Sequence, residues 1–407
     1  MTALRSERVP GDGVTLRPLR TDDAEEVARA CDDAGTRQFL TELPSPYTVA
    51  HAHEWIERSN ADGAEVTTFA IADPGADRVV GSIALGRLSF AGRAGSIGYW
   101  VAPWARRGGV ASAAARTLTA WAHGRGVQRL ELLTDPENEP SQRVALAAGF
   151  RHEGVRRGGG RGAGGTLSDR VVWARLADDP TGPTPRTLPD LPADGLTDGV
   201  VTLRRMVPDD AGPLYDLFML PEVIRTSVRS APTPESVAAR VARVPYQWLS
   251  GSRADLAIID AATGAFAGDI GLFLIDPTGQ GMIGYSVARE WRGRGFASRA
   301  ARLVSDWAFA EAGLVRVVAG TAPDNIGSQR TLERAGFTRE GYEPVRLPGP
   351  DGTRVDNVGS QRVLERAGFR REGYQRSRLP GPSGTRVDDV LYAILPGDLS
   401  PTRTPRR

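Results

Sequence analysis

The sequence contains no lysine: its 51 Lys+Arg positions are all arginine. That excludes a Schiff-base lysine and any phosphate loop built on Gly-Lys-Ser/Thr. There is one cysteine, Cys31, which excludes an internal disulfide framework and fits a reducing compartment. The four histidines, His51, His53, His123 and His152, all lie in the first half, so the second half cannot run a Cys/His or His-ligated metal mechanism. His51 and His53, two apart on an expected helix, face different directions and read as solvated side chains; no metal site is expected. No run approaches the roughly 18 apolar residues of a membrane helix, and the N-terminal stretch has no apolar signal core. A cytoplasmic, soluble protein is the expectation. The net charge of +2 is too nearly balanced to argue for a nucleic-acid or membrane partner.

What the chain does have is a stretch that occurs twice. Ile97 to Trp121 and Ile283 to Trp307 each open as a short apolar strand, pass through an Arg-x-x-Gly-x-Ala turn, and continue as an alanine-rich amphipathic helix ending on tryptophan. The turn reads Arg106-Arg107-Gly108-Gly109-Val110-Ala111 in the first copy and Arg292-Gly293-Arg294-Gly295-Phe296-Ala297 in the second. Glycine lets the backbone approach a ligand closely, and the free N–H groups of the first helical turn, at the positive end of the helix dipole, attract an anion. A diphosphate would fit.

With 407 residues, 40% of them hydrophobic, the chain has core material for two or three domains, and the repeat selects two. Residues 1–11 read as a dispensable arm. Val14 to Arg20 alternates as a strand, and Thr21-Asp22-Asp23 opens a helix running to about Cys31, with Asp22 or Asp23 accepting from free N–H groups. Then come a helix around His53 to Arg58, strands over Phe69 to Ala72 and Val79 to Leu85, and the strand-turn-helix. A strand over Arg129 to Thr134, a short helix over Pro140 to Ala148 and a hairpin of Arg151 to Arg157 with Arg170 to Leu176 complete the unit. This alternation predicts an α/β fold with a mixed sheet. Prolines at 180, 183, 185, 189 and 192 predict a semi-extended, unpacked linker over 179–196. Asp198 to Met206 then restates Asp12 to Leu19, Asp209-Asp210 opens a helix again, and the order of elements recurs. The expected domains are 12–178 and 197–397, followed by a tail, 398–407.

A shorter duplication lies inside the second domain. Residues 325–356 and 357–388 share 25 of 32 positions, including G-S-Q-R-x-L-E-R-A-G-F and R-L-P-G-P-x-G-T-R-V-D. Only the second is followed by a final strand, Val390 to Leu395. One copy is therefore surplus to the fold. The first copy is expected to keep the strand-to-helix junction, with the second carried as an insertion at the hairpin tip, where insertions disturb least. The competing arrangement loops out the first copy and docks the second.

The combination of I-G-Y-x-V, R-x-x-G-x-A at a helix start, Asn-x-x-Ser after the next strand, and A-G-F closing a short helix resembles the GNAT acetyltransferases, in particular the Rim type that acts on ribosomal-protein N-termini. The resemblance covers nearly the whole chain twice, excepting arm, linker, tail and surplus copy. It implies two GNAT domains, each a mixed, mostly antiparallel splayed sheet flanked by helices, with acetyl-CoA in the gap between the fourth and fifth strands and its pyrophosphate on the turn. It implies direct acyl transfer from a thioester to an amine. A backbone N–H near Trp100-Val101 or Ser286-Val287 would hold the thioester oxygen. Ser141 and Ser328, with Ser360 as the duplicated equivalent, would supply a proton to sulfur, or alternatively only help to start a short helix. Asn138 and Asn325 would bind the pantetheine arm.

The base is where the chain departs from its relatives. Many of them carry a glutamate two residues before the Gly-Tyr of the fourth strand; here the position holds Ser96 or Met282. Glu131 is a substitute open only to the first domain, Val318 standing in its place in the second, and it reads equally as an ordinary strand carboxylate. Tyr99 and Tyr285 could act through water, or simply pack. Deprotonation by solvent also serves a low-pKa α-amine. The acceptor loops differ: Phe39 to Tyr47, with Glu42, suits a cationic amine, whereas Val223 to Arg229 suits an acidic or phosphate-bearing acceptor. A peptide N-terminus is the first expectation and a small amine such as an aminoglycoside the second. One half, the second foremost, could instead bind acetyl-CoA without turnover or only stabilise its neighbour. Gly160 to Gly165 matches G-x-G-x-x-G, yet it lies between hairpin strands with no helix after it. The tail Arg403 to Arg407 lacks the interleaved aromatics of a nucleic-acid binder.

Overall fold

The computed structural model describes residues 4–62, 64–86, 88–89, 93–162, 165–226, 231–274, 279–321, 325–347 and 387–394. Two compact units divide between Arg186 and Thr187. The first runs β1 (Val9–Pro10), β2 (Thr15–Arg17), α1 (Ala24–Cys31), α2 (Ala34–Arg37), α3 (Val49–Asn60), β3 (Thr67–Ala72), β4 (Val79–Leu85), β5 (Ala94–Val101), α4 (Val110–His123), β6 (Arg129–Thr134), α5 (Glu139–Ala147), β7 (Arg151–Arg161) and β8 (Leu167–Leu176). Its sheet has the order β1-β2-β3-β4-β5-β6-β8-β7. Only β5 and β6 are parallel, because α4 carries the chain across between them; every other pairing is antiparallel.

The second unit repeats this with β9 (Leu196–Thr197), β10 (Val201–Arg205), α6 (Ala211–Phe218), α7 (Pro221–Thr226), α8 (Pro234–Ala242), α9 (Val244–Leu249), β11 (Arg253–Asp260), β12 (Phe266–Leu274), β13 (Gln280–Val287), α10 (Phe296–Ala310), β14 (Arg316–Thr321), α11 (Ile326–Arg334), β15 (Thr338–Leu347) and β16 (Val387–Ile394). The sheet order is β9-β10-β11-β12-β13-β14-β16-β15, with β13 and β14 the parallel pair. The fold is α/β: two mixed, mostly antiparallel sheets, each flanked by helices.

Periodicity explains the packing of the central helices. In α4, Ala114, Leu118, Trp121 and Ala122 recur at three- and four-residue spacing and are buried, with Trp121 edge-on to Phe69 of β3 at 5.1 Å. In α10, Ala300, Val304, Trp307 and Ala308 do the same, and Trp307 meets Trp248 of α9 at 5.6 Å. Of the two aspartates at the first helix start, Asp23 does the work: it accepts from Arg20 N–H at 2.8 Å and takes a buried pair of bonds from Arg17 at 2.7 and 2.8 Å. Asp210 repeats this with Val207 N–H and Arg204. No helix among the described residues is long and apolar enough to cross a membrane.

Three expectations meet a different outcome. The arm is attached, since β1 pairs with β2 and Glu7 accepts from the Trp121 indole N–H at 2.7 Å. The proline-rich stretch is packed rather than free: Thr184 bonds Phe150 O and Leu146 O in the first unit, while Leu188 is fully buried in the core of the second and Pro189 O accepts from Trp248 Nε1. Proline fixes φ but leaves neighbouring side chains free to dock, so composition alone misreads such a segment. The last strand begins at Val387, three residues earlier than the apolar run suggests. The G-x-G-x-x-G stretch leads from β7 to β8, with Gly162 N–H donating to Thr166 O in the connection.

Helix α11 and strand β15 come from the first copy of the 32-residue repeat, and β16 starts on the last two residues of the second, Val387 and Asp388. The remainder of the second copy, Ser360 included, lies outside the described residues, as does the tail. Because Leu188 joins Leu203, Trp248 and Leu256 in one core cluster, Leu188→Ala should cost the second unit about 2–5 kcal/mol. Chemical denaturation would register it as a lower midpoint for that unit's transition; an unchanged midpoint would mean the stretch only rests on the core.

Candidate active site

Each parallel pair comes apart at one end. β5 and β6 are in register only from Ala94–Arg129 to Ile97–Leu132, while β5 continues to Val101 against β4 and β6 continues to Thr134 against β8. β13 and β14 part in the same way after Ile283–Ala319. Backbone groups of alternate strand residues point to opposite edges. Gly86 N–H donates to Ser96 O and Ala102 N–H to Val80 O, so the even residues of β5 face β4, and Tyr99 and Val101 present their N–H groups to the gap. Ala288 N–H donates to Ala267 O, which places Tyr285 and Val287 likewise. Of the expected oxygen-binding pairs, Val101 and Val287 therefore face the gap. Trp100 and Ser286 do not; their backbones serve the neighbouring strand.

At the open end of each gap lies the Arg-x-x-Gly-x-Ala turn. Gly109 and Gly295 are the N-caps of α4 and α10, with φ of 77° and 82°, a region that favours glycine. Neither helix has a side-chain cap, which leaves the N–H groups at Val110 and Ala111, and at Phe296 and Ala297, without a helical acceptor. A Cβ added at Gly109 would meet nothing within 4 Å, so the cradle is open. Two residues before the cap, Gly293 has φ of 75° and its counterpart Arg107 adopts 64°, a strained choice for a residue with a Cβ. Gly108 and Arg294 fill the intervening position; Arg294 stacks on Trp291 at 4.5 Å. The helix-end geometry, free donors and missing side chains fit a diphosphate.

The first arginine of each turn has another partner. Arg106 donates from Nε to Val101 O and from Nη2 to Asp33 Oδ2 and Thr36 Oγ1, both at 2.7 Å. Arg292 donates from Nε to Val287 O at 2.9 Å and from Nη1 to Glu222 Oε1 at 2.6 Å, with Arg289 also on Glu222. These guanidiniums tie the turn to the start of α2 and to α7. Arg106 holds the Asp33 carboxyl below the usual carboxylate range. The Glu222 backbone N–H, Arg292 and Arg289 together lower Glu222 to about 2 from an ordinary 4.5. A depressed folded value means this clamp is complete above pH 4.5 and fails as the pH falls toward 2. Arg292→Met should raise the Glu222 titration midpoint toward 4.5 by carboxyl NMR; an unmoved midpoint would deny the clamp.

Across the floor of each gap runs a tyrosine–serine bond. Tyr99 Oη lies 2.8 Å from Ser141 Oγ, and Tyr285 Oη lies 2.8 Å from Ser328 Oγ, bridging the β5 strand to the start of α5 and the β13 strand to the start of α11. The serines are not the helix starters. Asn138 and Asn325 are, each accepting from the serine N–H at 3.1 Å through Oδ1. Burial raises the Tyr99 hydroxyl well above the usual phenol range, with the Ser141 bond opposing. Such a tyrosine keeps its proton at neutral pH.

Glu131 stands opposite Ser96 across β5 and β6, but both carboxylate oxygens are engaged: Oε1 by Arg129 at 2.9 Å and Oε2 by Arg156 at 3.2 Å. It is a strand ion pair, not a free base. Trp100 packs its ring 6.4 Å from Trp55 of α3. In the first acceptor loop Tyr47 is buried, and exposed Glu42 lies 4.0 Å from Arg161. Of the second loop, residues 227–229 lie outside the described residues. Among the described residues no group of His, Cys, Asp and Glu could hold a metal ion.

The strand gap, the open helix cap and the half-buried hydroxyl pair occur twice in the same order, and the matches to known proteins fall on the same two spans. Residues 14–151 and 201–338 each match the acetyltransferase (GNAT) domain family. "Probable N-acetyltransferase YjcK" of Bacillus subtilis (strain 168) is 49% identical over 59 residues, 14% of this chain and 33% of YjcK, so the chain spans only a third of that relative. YdaF of the same organism, provisionally named a ribosomal N-acetyltransferase, is 31% identical over 149 residues, 35% of this chain and 79% of YdaF. The solved Mycobacterium smegmatis RimJ in complex with CoA-disulfide is 25% identical, covering 42% of this chain and 87% of its own with a TM-score of 0.38. Matched over both units, which together make up most of its length, the chain belongs to the GNAT acetyltransferase family and carries the domain twice.

Proposed function

We propose that each unit is an acetyl-CoA-dependent N-acetyltransferase that moves the acetyl group directly to a primary amine, with a protein or peptide α-amine as the acceptor. The observation that carries this is the splayed strand pair, open at the glycine-capped helix and floored by a tyrosine–serine bond. The first-turn N–H groups of α4 and α10 would bind the diphosphate. Val101 and Val287 N–H would stabilise charge on the thioester oxygen, and the Tyr99–Ser141 and Tyr285–Ser328 pairs would deliver a proton to the departing sulfur. The naming of YdaF for ribosomal acetylation supports a protein terminus over a small amine.

Calorimetric titration of the intact chain with acetyl-CoA tests this reading. Two binding events per chain are expected. One event would leave a single working pocket beside a scaffold unit, and none would end the acetyltransferase reading.

A further inference from the structure

The units differ in what α3 and α8 bring to the fourth strand and its neighbour. Trp55 and Arg240 each stand seven residues past a threonine N-cap, Thr48 or Thr233. In the first unit Trp55 tilts over Trp100, and Ser82, opposite Trp100 in register, is satisfied by donating to Phe69 O at 2.9 Å. In the second unit the same places hold Arg240, Ser286 and, opposite Ser286, Asp269. Arg240 Nη2 reaches Asp255 Oδ1 at 2.9 Å and Asp269 Oδ2 at 3.2 Å, and Arg253 Nη2 lies 2.6 Å from Asp255 Oδ1.

This cluster is incomplete. Asp269 is only 5% exposed, yet its Oδ1 has no hydrogen-bond partner among the described residues. A buried carboxylate oxygen left without a donor calls for an explanation, and a ligand donor is one. The strand beside it supplies the approach. Gly284 of β13 is exposed, lies two residues from Ser286 on the same face, and a Cβ there would touch only the Phe273 ring at 3.8 Å. Val287 N–H, next along from Ser286, opens into the gap, so an amine entering over Gly284 and Ser286 would approach that gap from the Asp269 side.

We propose, resting on the acetyltransferase reading above, that Asp269 is the proton acceptor for the acceptor ammonium in the second unit. The ammonium gives one proton to Asp269. The freed lone pair forms the C–N bond to the acetyl carbon as C–S breaks, Tyr285–Ser328 protonates sulfur, and the second nitrogen proton replaces the one that pair released. Burial raises Asp269 to about 6, with Asp255 adding to the effect and Arg240 and Arg253 opposing it, which suits a base working near neutrality. The first unit has no counterpart, because Ser82 fills the position. Both units lack the fourth-strand glutamate, and only the second carries a carboxylate at this position one strand away.

The test uses the intact chain with Gly109→Glu, so that only the second unit works. Thiol release from acetyl-CoA is followed from pH 5 to 8 with peptides bearing N-terminal Ser, Ala or Met and with paromomycin. The expected kcat/KM rises through a midpoint near 6. Asp269→Asn should lower it on the order of 100-fold above pH 7 and remove that limb, Asp269→Glu should restore part of it, and acetyl-CoA binding should stay within about twofold. An unchanged profile in Asp269→Asn overturns the assignment, as does bound acetyl-CoA with no probe acetylated. If Asp269→Asn loses acetyl-CoA binding through misfolding, the parent profile decides: a limb near 6 supports the assignment and a flat profile ends it. A parent that binds no acetyl-CoA defeats the acetyltransferase reading first, and this assignment with it.

Discussion

Gly109→Glu should abolish one of two acetyl-CoA binding events in a calorimetric titration of the intact chain, and Gly295→Glu the other. Two effects combine at each position. A side chain must adopt a φ near 77° or 82°, which costs roughly 1–2 kcal/mol for an L-residue. A carboxylate would then sit where the helix dipole and free N–H groups gather an anion, and would meet the diphosphate charge with its own. We expect affinity at the altered site to fall at least about 100-fold, about 2.8 kcal/mol, with the other site untouched. Gly109→Ala separates the two effects. Its Cβ meets nothing within 4 Å, so it reports backbone strain alone and should bind far better than the glutamate. Equal losses in Ala and Glu would place the diphosphate elsewhere.

The second large effect belongs to the hydroxyl pairs. Ser141→Ala and Tyr99→Phe should each lower kcat in the first unit on the order of 100-fold while leaving acetyl-CoA affinity within a few-fold, and Ser328→Ala with Tyr285→Phe should do the same in the second. Because the two hydroxyls are 2.8 Å apart and act on one proton, the double variant should lose little more than either single one. Steady-state rates on any amine the chain acetylates, measured with the opposite cradle blocked, give the answer. Full activity in both single variants would remove the pair from the chemistry.

Local patterns carried much of this design. Strand, glycine turn and alanine-rich helix follow one another within 25 residues, so periodicity and φ preference expose them, and the double occurrence fixes the domain plan. What stayed hidden depends on distance along the chain. Tyr99 meets Ser141 across 42 residues and Arg292 meets Glu222 across 70, and no spacing rule reports such pairings. The carboxylate partners of the turn arginines, Asp33 and Glu222, likewise lie far upstream, at the cap of α2 and in α7. Leu188 is a single apolar residue among prolines, too small a signal to show that the segment joins a core. Asp269 was hidden for another reason: next to Gly268 in an apolar strand it reads as a solvent-facing alternation, and only the register beside Ser286 and the approach of Arg240 mark it.

The start of β16 has a consequence at the level of the gene. Val387 and Asp388 open that strand and are the last residues of the second repeat, while the first repeat ends on the same pair, Val355 and Asp356. A recombination that excised 32 codons would therefore hand the final strand the same two opening residues in the same phase. With the second copy as the segment lost, β15 and β16 would keep their residues and the reading frame would be unbroken.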